Sequence, residues 1–264
     1  AIDSLQPNVL LYDETYPGTD NQRWRIPSNA SNTIVEGTGL YTYVFGSIPA
    51  DSRYNTPFPT DLTVEGQEHS GSVDFNVTYT PAADSGWNLV GNPYAATIDW
   101  DDASNWTKTN IDNTIYVWDY STNQYKTWNG TTGDLGNGLI SPFQGFWIKA
   151  NNSSPSLIVE EDAKTTGGTF VGKKTSQQDH GYPHFSISVS DDNQKASTHF
   201  MFSEDASFGK DKQDGFRLLP PPGTFSYLDI SSITENDDRM SINNLPRNFG
   251  IPIEIPISLA SYKN

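Results

Sequence analysis

Apolar and polar side chains alternate with period two in short runs along this chain. In residues 71–80, Val73, Phe75, Val77 and Tyr79 alternate strictly with Ser72, Asp74, Asn76 and Thr78, which predicts a strand with one buried and one wet face. LYTYVFG (40–46) predicts a strand covered on both sides, because Leu40, Tyr43 and Phe45 compete with Tyr41 and Val44 for the interior; DLTVEG (61–66) predicts another. WNLVG (87–91) ends at Gly91-Asn92-Pro93, since the proline biases Asn92 to extended geometry and breaks the run. TIYVWD (114–119) and QYKTW (124–128), joined by Tyr120-Ser121-Thr122-Asn123, predict a hairpin with Ile115 and Val117 on one side and Tyr116 and Trp118 on the other. Gly145 inside FQGFWIKA (143–150) predicts a bulge or a close backbone approach.

Periodicity fades over 163–183, a small, polar stretch rich in Gly and Lys, and then restarts. HFSISVS (184–190) and KASTHFMFS (195–203), separated by DDNQ, predict a second hairpin. FRLLPPPG (216–223), FSYLDIS (225–231), RMSINNLP (239–246) and IPIEIPISL (251–259) follow. In the last, Ile251, Ile253, Ile255, Ile257 and Leu259 share one face. Pro252 and Pro256 lack a donor toward one common neighbour, which predicts an edge strand with an apolar inner face and the proline side free. The expected fold class is all-β, with two antiparallel β-sandwich-like domains in tandem: residues 1–165, a linker over 166–183, and 184–264.

Composition changes this picture in three ways. Only 34% of the 264 residues are hydrophobic while 12% are aromatic, so the core has to be built on rings; six of the seven tryptophans fall between Gly86 and Ala150. With 16 Lys+Arg against 32 Asp+Glu, the net charge of −16 repels phosphate backbones and anionic lipid heads and argues against nucleic-acid and membrane-surface partners. No cysteine is present, which excludes a disulfide framework, thiol catalysis and Cys-ligated zinc. No apolar run reaches the ~20 residues of a membrane span, so membrane insertion is not expected.

Candidate chemistry is sparse. The loop DWDDASN sets Asp99, Asp101 and Asp102 beside Asn105, the oxygen donors that calcium takes, and the competing reading is turn capping by Asp and Asn. Trp106, Tyr120, Tyr125 and Trp128 lie in or beside turns, where flat rings stack on sugar faces; the competing reading is that they close the core. His180 and His184 have ligand spacing, but Gly181 and Pro183 break the helix that would align them; His69 and His199 complete the set. Glu160-Glu161, Asp101-Asp102 and Asp237-Asp238 are the acid pairs from which glycoside hydrolysis could be built.

GWNLVGNPYAATIDWDD (86–102), NIDNTIYVWDYSTNQYKTWNG (110–130) and ISPFQGFWIKA (140–150), preceded by GTGLYTYVFG and GSVDFNVTYT, resemble the recurring block near the ends of large secreted and cell-surface proteins of Bacteroidota exported by the type IX secretion system. The likeness covers about residues 37–260. It implies a secreted or surface-anchored, all-β, noncatalytic region followed by a second β-rich module, and brings no catalytic residues. Such proteins end in a sorting domain, whereas this chain stops at SYKN, so the expectation is a fragment of a longer polypeptide whose second module lacks its final strand and leaves the edge beside IPIEIPISL open to a partner. The expected role is adhesion or structural presentation within a surface assembly, with glycans as candidate ligands and calcium as candidate ion. The alternative is a carbohydrate-active enzyme of glycoside hydrolase type or its accessory region.

Overall fold

A computed structural model describes residues 8–19, 22–29, 31, 33–44, 66–81, 85–168, 171, 182–247, 250 and 252–263. Their regular structure is strand, apart from short 3-10 geometry at Gln22 and Glu161–Ala163. The fold is all-β. Strands β1 (Val9–Tyr12), β2 (Trp24–Arg25) and β3 (Tyr41–Thr42) form a small sheet in the order β2-β1-β3. Next come β4 (Val73–Phe75), β5 (Trp87–Gly91), β6 (Thr97–Asp99), β7 (Trp106–Thr109), β8 (Ile115–Asp119), β9 (Gln124–Trp128), β10 (Leu139–Ile140), β11 (Gly145–Lys149), β12 (Ser156–Val159) and β13 (Lys164–Thr165). They make three antiparallel sheets, β5-β11-β8-β9, β4-β12-β7 and β10-β6-β13.

The four-stranded sheet is the centre of this half because both of its faces are covered. Ile115 and Val117 look into a core with Val90, Phe146, Ile148, Trp100 and Trp128. Tyr116 and Trp118 look the other way, with Trp87, Tyr125 and Trp147, onto Tyr12 and Trp24. The second cluster is built edge-to-face: Tyr12 lies 4.7 Å from Trp147, and Trp118 lies 5.0 Å from Tyr125, its register partner. Each such pair adds about 0.5–1.5 kcal/mol beyond the area it buries. The hairpin between β8 and β9 is closed by Asp119, whose Oδ1 accepts from Ser121 N–H (3.0 Å), and by Asn123 at φ 53. Gly86 needs its φ of +85, and a Cβ there would meet the Ala150 carbonyl oxygen at 2.0 Å.

Three strand expectations are modified. The run over 71–80 leaves the ladder after Phe75, because the Asn88 side chain takes the place of a neighbouring strand: its Oδ1 accepts Thr78 N–H and its Nδ2 donates to Thr78 C=O, both at 2.9 Å. Val77 and Tyr79 still pack on the core. LYTYVFG forms a ladder only at Tyr41–Thr42, while Phe45, Gly46 and nearly all of DLTVEG (61–65) lie outside the described residues. Gly145 is neither bulged nor tightly approached. It pairs in regular register with Gly91, and a Cβ would find its first neighbour at an ordinary 3.7 Å.

In the second half, β14 (His184–Ser190), β15 (Lys195–Ser203), β17 (Ser226–Ile233), β18 (Arg239–Pro246) and β19 (Ile257–Lys263) lie in the order β14-β15-β18-β17-β19, with β16 (Gly215–Phe216) also on β18. All pairs are antiparallel except β15 with β18, a parallel pair that requires the long crossover through 204–238. Val189 and Ala196 on the β14–β15 ribbon pack against Leu228 and Ile230 on the β17–β19 ribbon, so the sheet folds back on itself as two layers. β13 ends at Thr165 and β14 begins at His184; of the stretch between them, 169, 170 and 172–181 lie outside the described residues.

The final strand is at the sheet edge, as the proline pattern predicts, but its geometry differs. Ile233 N–H donates to Pro256 C=O at 2.9 Å, so Pro256 faces β17 rather than solvent, and the ladder starts only at Ile257, after the last missing donor. Nor is the apolar face buried: Leu259 is 61% and Ile257 39% exposed.

Candidate functional site

Buried polar side chains form a seam between the halves. Gln124 Nε2 donates to Leu228 C=O (2.6 Å), Asn129 Nδ2 to Gln213 C=O (2.6 Å) and Thr114 Oγ1 to Asp214 C=O (2.9 Å). Asp229, with 0% exposure, is bridged by Arg217 Nε and Arg239 Nη2, each at 2.7 Å, and Arg217 Nη2 reaches on to Gln124 Oε1 at 3.1 Å. A carboxylate this dry survives only with its charge answered, and two guanidiniums supply that. The sequence contains one hint of this arrangement: an acid between two aliphatic residues, Leu228 and Ile230, within a strand.

Beside the seam is a cleft of about 440 Å3 lined by both halves, a candidate for a ligand. The first half supplies Tyr79, Trp87 and Lys149; the second supplies Phe216, Arg239 and the turn Asp237-Asp238. Lys149 is placed by the last register position of β11. Its Nζ donates to Ser85 C=O (2.5 Å) and lies 4.9 Å from the Trp87 ring centre and 5.0 Å from that of Phe216, a cation held over two aromatic faces. Even the nearest of these across the halves, Lys149 and Phe216, are 67 residues apart in sequence, and no local motif announces them.

The cleft contains one of the acid pairs noted in the sequence. Asp237 is exposed at φ 65 in the β17–β18 turn, and Asp238 is tied back through its N–H to Thr234 Oγ1 (3.2 Å). Glycosidic cleavage needs a carboxyl kept protonated, usually by burial, to act as general acid. Burial does so elsewhere. It pushes Asp214 up to about 7, against hydrogen bonds from Asn244 and Asp211 N–H, and it raises Asp112, yet neither lines the cleft.

The sugar-stacking platform expected of Trp106, Tyr120, Tyr125 and Trp128 is not assembled. Trp106 and Trp128 are buried in one core and Tyr125 in the other, where they offer no free face; only Tyr120, 79% exposed, stands in solvent. The calcium set is also dispersed. Asp99 Oδ1 caps Asp101 N–H (2.9 Å), Asp101 turns inward to the Trp128 indole N–H (2.9 Å), and Asp102 takes Asn105 Nδ2 (2.7 Å), an interaction that holds its carboxyl below the usual range. Lys108 fills the space beside them. Its Nζ donates to Trp100 C=O (2.6 Å) and sits 3.6 Å from that ring's centre, and burial pulls the amine down to about 8. Turn capping and the Trp128 contact engage Asp99 Oδ1 and both carboxylate oxygens of Asp101 and Asp102. Among the described residues, no three His, Asp or Glu side chains converge to hold a metal.

The histidines are scattered: His69 lies 4.0 Å from Glu36, His184 starts β14, His199 Nε2 lies 3.2 Å from Asp134 Oδ1, and His180 is outside the described residues. No helix of the described residues is long and apolar enough to cross a membrane. No protein-family model, curated protein or solved structure matches the chain.

Proposed function

We propose that the chain is a noncatalytic module of a large secreted or cell-surface bacterial protein, serving structural presentation or adhesion. The observation that carries this reading is the seam. Gln124 and Asn129 of the first half donate to Leu228 and Gln213 C=O of the second, and Arg217, paired with buried Asp229, reaches back to Gln124, which suits a stiff spacer that transmits position along a longer polypeptide. The −16 charge keeps such a spacer soluble outside the cell. The test is protease shaving of intact source cells followed by detection of this chain's peptides. Release from whole cells supports the reading, and recovery only after lysis overturns it.

A second reading, as a glycan-binding accessory region, is favoured by the cleft, where Tyr79, Trp87 and Phe216 meet charged hydrogen-bonding groups. Binding on a glycan array that is lost in Arg239→Ala supports it. A blank array removes it for the glycans tested.

A further inference from the structure

The two free edges of the second half differ in kind. β14 carries HFSISVS: seven residues with no Lys, Arg, Asp, Glu, Pro or Gly, the features that natural edge strands use to prevent pairing. β19 is preceded by two prolines and ends in Lys263. β14 also exposes apolar side chains, with Phe185 48% and Ile187 39% accessible although both lie on the face that continues toward Val189 and Ala196.

The direction of the unpaired backbone groups can be derived. Phe202 N–H donates to Pro183 C=O at 3.0 Å, and Asp191 N–H to Gln194 C=O at 3.0 Å. Alternate residues of an antiparallel strand address opposite neighbours, so odd-numbered positions turn to β15, and His184, Ser186, Ser188 and Ser190 turn their N–H and C=O groups outward. Those groups have no backbone partner among the described residues.

From this we infer that β14 pairs antiparallel with β14 of a second copy of this chain, about a twofold axis at Ile187. The register is self-complementary. Ser186 meets the partner's Ser188 and His184 meets the partner's Ser190 in reciprocally hydrogen-bonded pairs, while Ile187 meets its own copy and Phe185 the partner's Val189 on the apolar face. Charge agrees with this register in a chain that otherwise repels itself. The flanking Asp191 and Asp192 fall opposite the partner's Pro183 and Tyr182, so no like charges are set against each other. The same operation on β19, centred on Ala260, would set Leu259 against Ser261 and Ile257 against Lys263, an apolar row against a polar one. A twofold through identical strands gives a closed dimer.

This inference deepens the presentation reading by naming a partner, and its readout does not depend on where the chain resides. Sedimentation velocity over a concentration series should show a monomer–dimer equilibrium that strengthens as salt screens the −16 charge of each copy. Ile187→Lys should weaken it by about tenfold or more by placing two ammonium groups at the axis. Ser188→Pro removes an outward backbone donor and the Ser188 Oγ–Ser197 Oγ bond (2.9 Å) but keeps the backbone ladder to β15, so it should abolish the dimer without changing the circular dichroism. The chain has no cysteine, and Ile187 lies at a non-hydrogen-bonded pair about 4.5 Å from its copy. Ile187→Cys should therefore form a disulfide-linked dimer under mild oxidation, whereas Ala260→Cys, at the corresponding axis position of β19, should not. A chain monomeric at every concentration, or equal cross-linking from β19, overturns the pairing and leaves the presentation reading intact; surface shaving that fails while the dimer persists does the reverse.

Discussion

The two halves use similar strand chemistry but bury it differently. The first packs eighteen buried residues, four of them tyrosine or tryptophan rings with Phe75 and Phe146 beside them, into one core, and it covers the opposite face of its central sheet with a second aromatic cluster. In the second, Ala196, Leu228 and Ile230 form one small cluster, Phe200, Met201, Met240, Ile242 and Leu245 are buried outside it, and polar groups such as Asp229, Asn243 and Thr198 share the interior with them. Apolar burial is non-directional and tolerates adjustment, whereas a buried ion network stabilises only when complete. The first half is therefore expected to resist loss of a hydrogen bond and to suffer from loss of a ring. The second should show the opposite sensitivity.

The largest expected effect is on the network. Asp229→Ala leaves Arg217 without its buried partner and should cost about 3–5 kcal/mol in chemical denaturation; a cost below that of a surface substitution would erase the contrast. Trp128→Ala, from a ring with 0% exposure, should cost about 3–5 kcal/mol by opening a cavity in the first core. Leu228→Ala, in the thin core beside an open edge, should fall toward the lower end of the roughly 2–5 kcal/mol range for such truncations, because the site can relax.

A pH series sharpens the comparison further. Burial raises Asp214 from 3.8 to about 7, so its proton is held more tightly in the folded state. Its contribution is fully present below pH 3.8 and is lost as pH rises through about 7. Glu14, in the first half, has the opposite sign. Burial works against its ionisation, but donors from Thr80 and Gly86 outweigh that and hold it below 4.5, so its contribution is lost as pH falls through that lowered value. Asp214→Asn should flatten the decline in stability between pH 4 and 7, measured by urea midpoints; an unchanged slope would show that Asp214 does not carry it. The smallest effect is expected at Tyr120→Ser in the exposed hairpin turn, within about 0.5 kcal/mol.

Both hairpins were legible, because period-two alternation interrupted by a short polar link has few other physical solutions. The opposite facing of Ile115 and Val117 against Tyr116 and Trp118 follows from the same alternation. The early stop of the 71–80 strand was not legible, because it depends on the Asn88 amide arriving from a neighbouring segment. Trp106, Tyr125 and Trp128 were misplaced as ligand platforms because a ring next to a turn in sequence can still point into the core. The cleft was illegible for a stronger reason: Lys149, Arg239 and Asp237 share no local pattern and meet only through the packing of the halves.

Composition and alternation alone determined an aromatic, all-β chain, the positions of its hairpins, and an edge at its final strand. Tertiary structure decided which rings were buried, which acids gained partners, and that β14 has no further strand beside it among the described residues. Periodicity records which face of a strand is apolar, but only the arrangement of the other strands supplies what covers that face and removes its water.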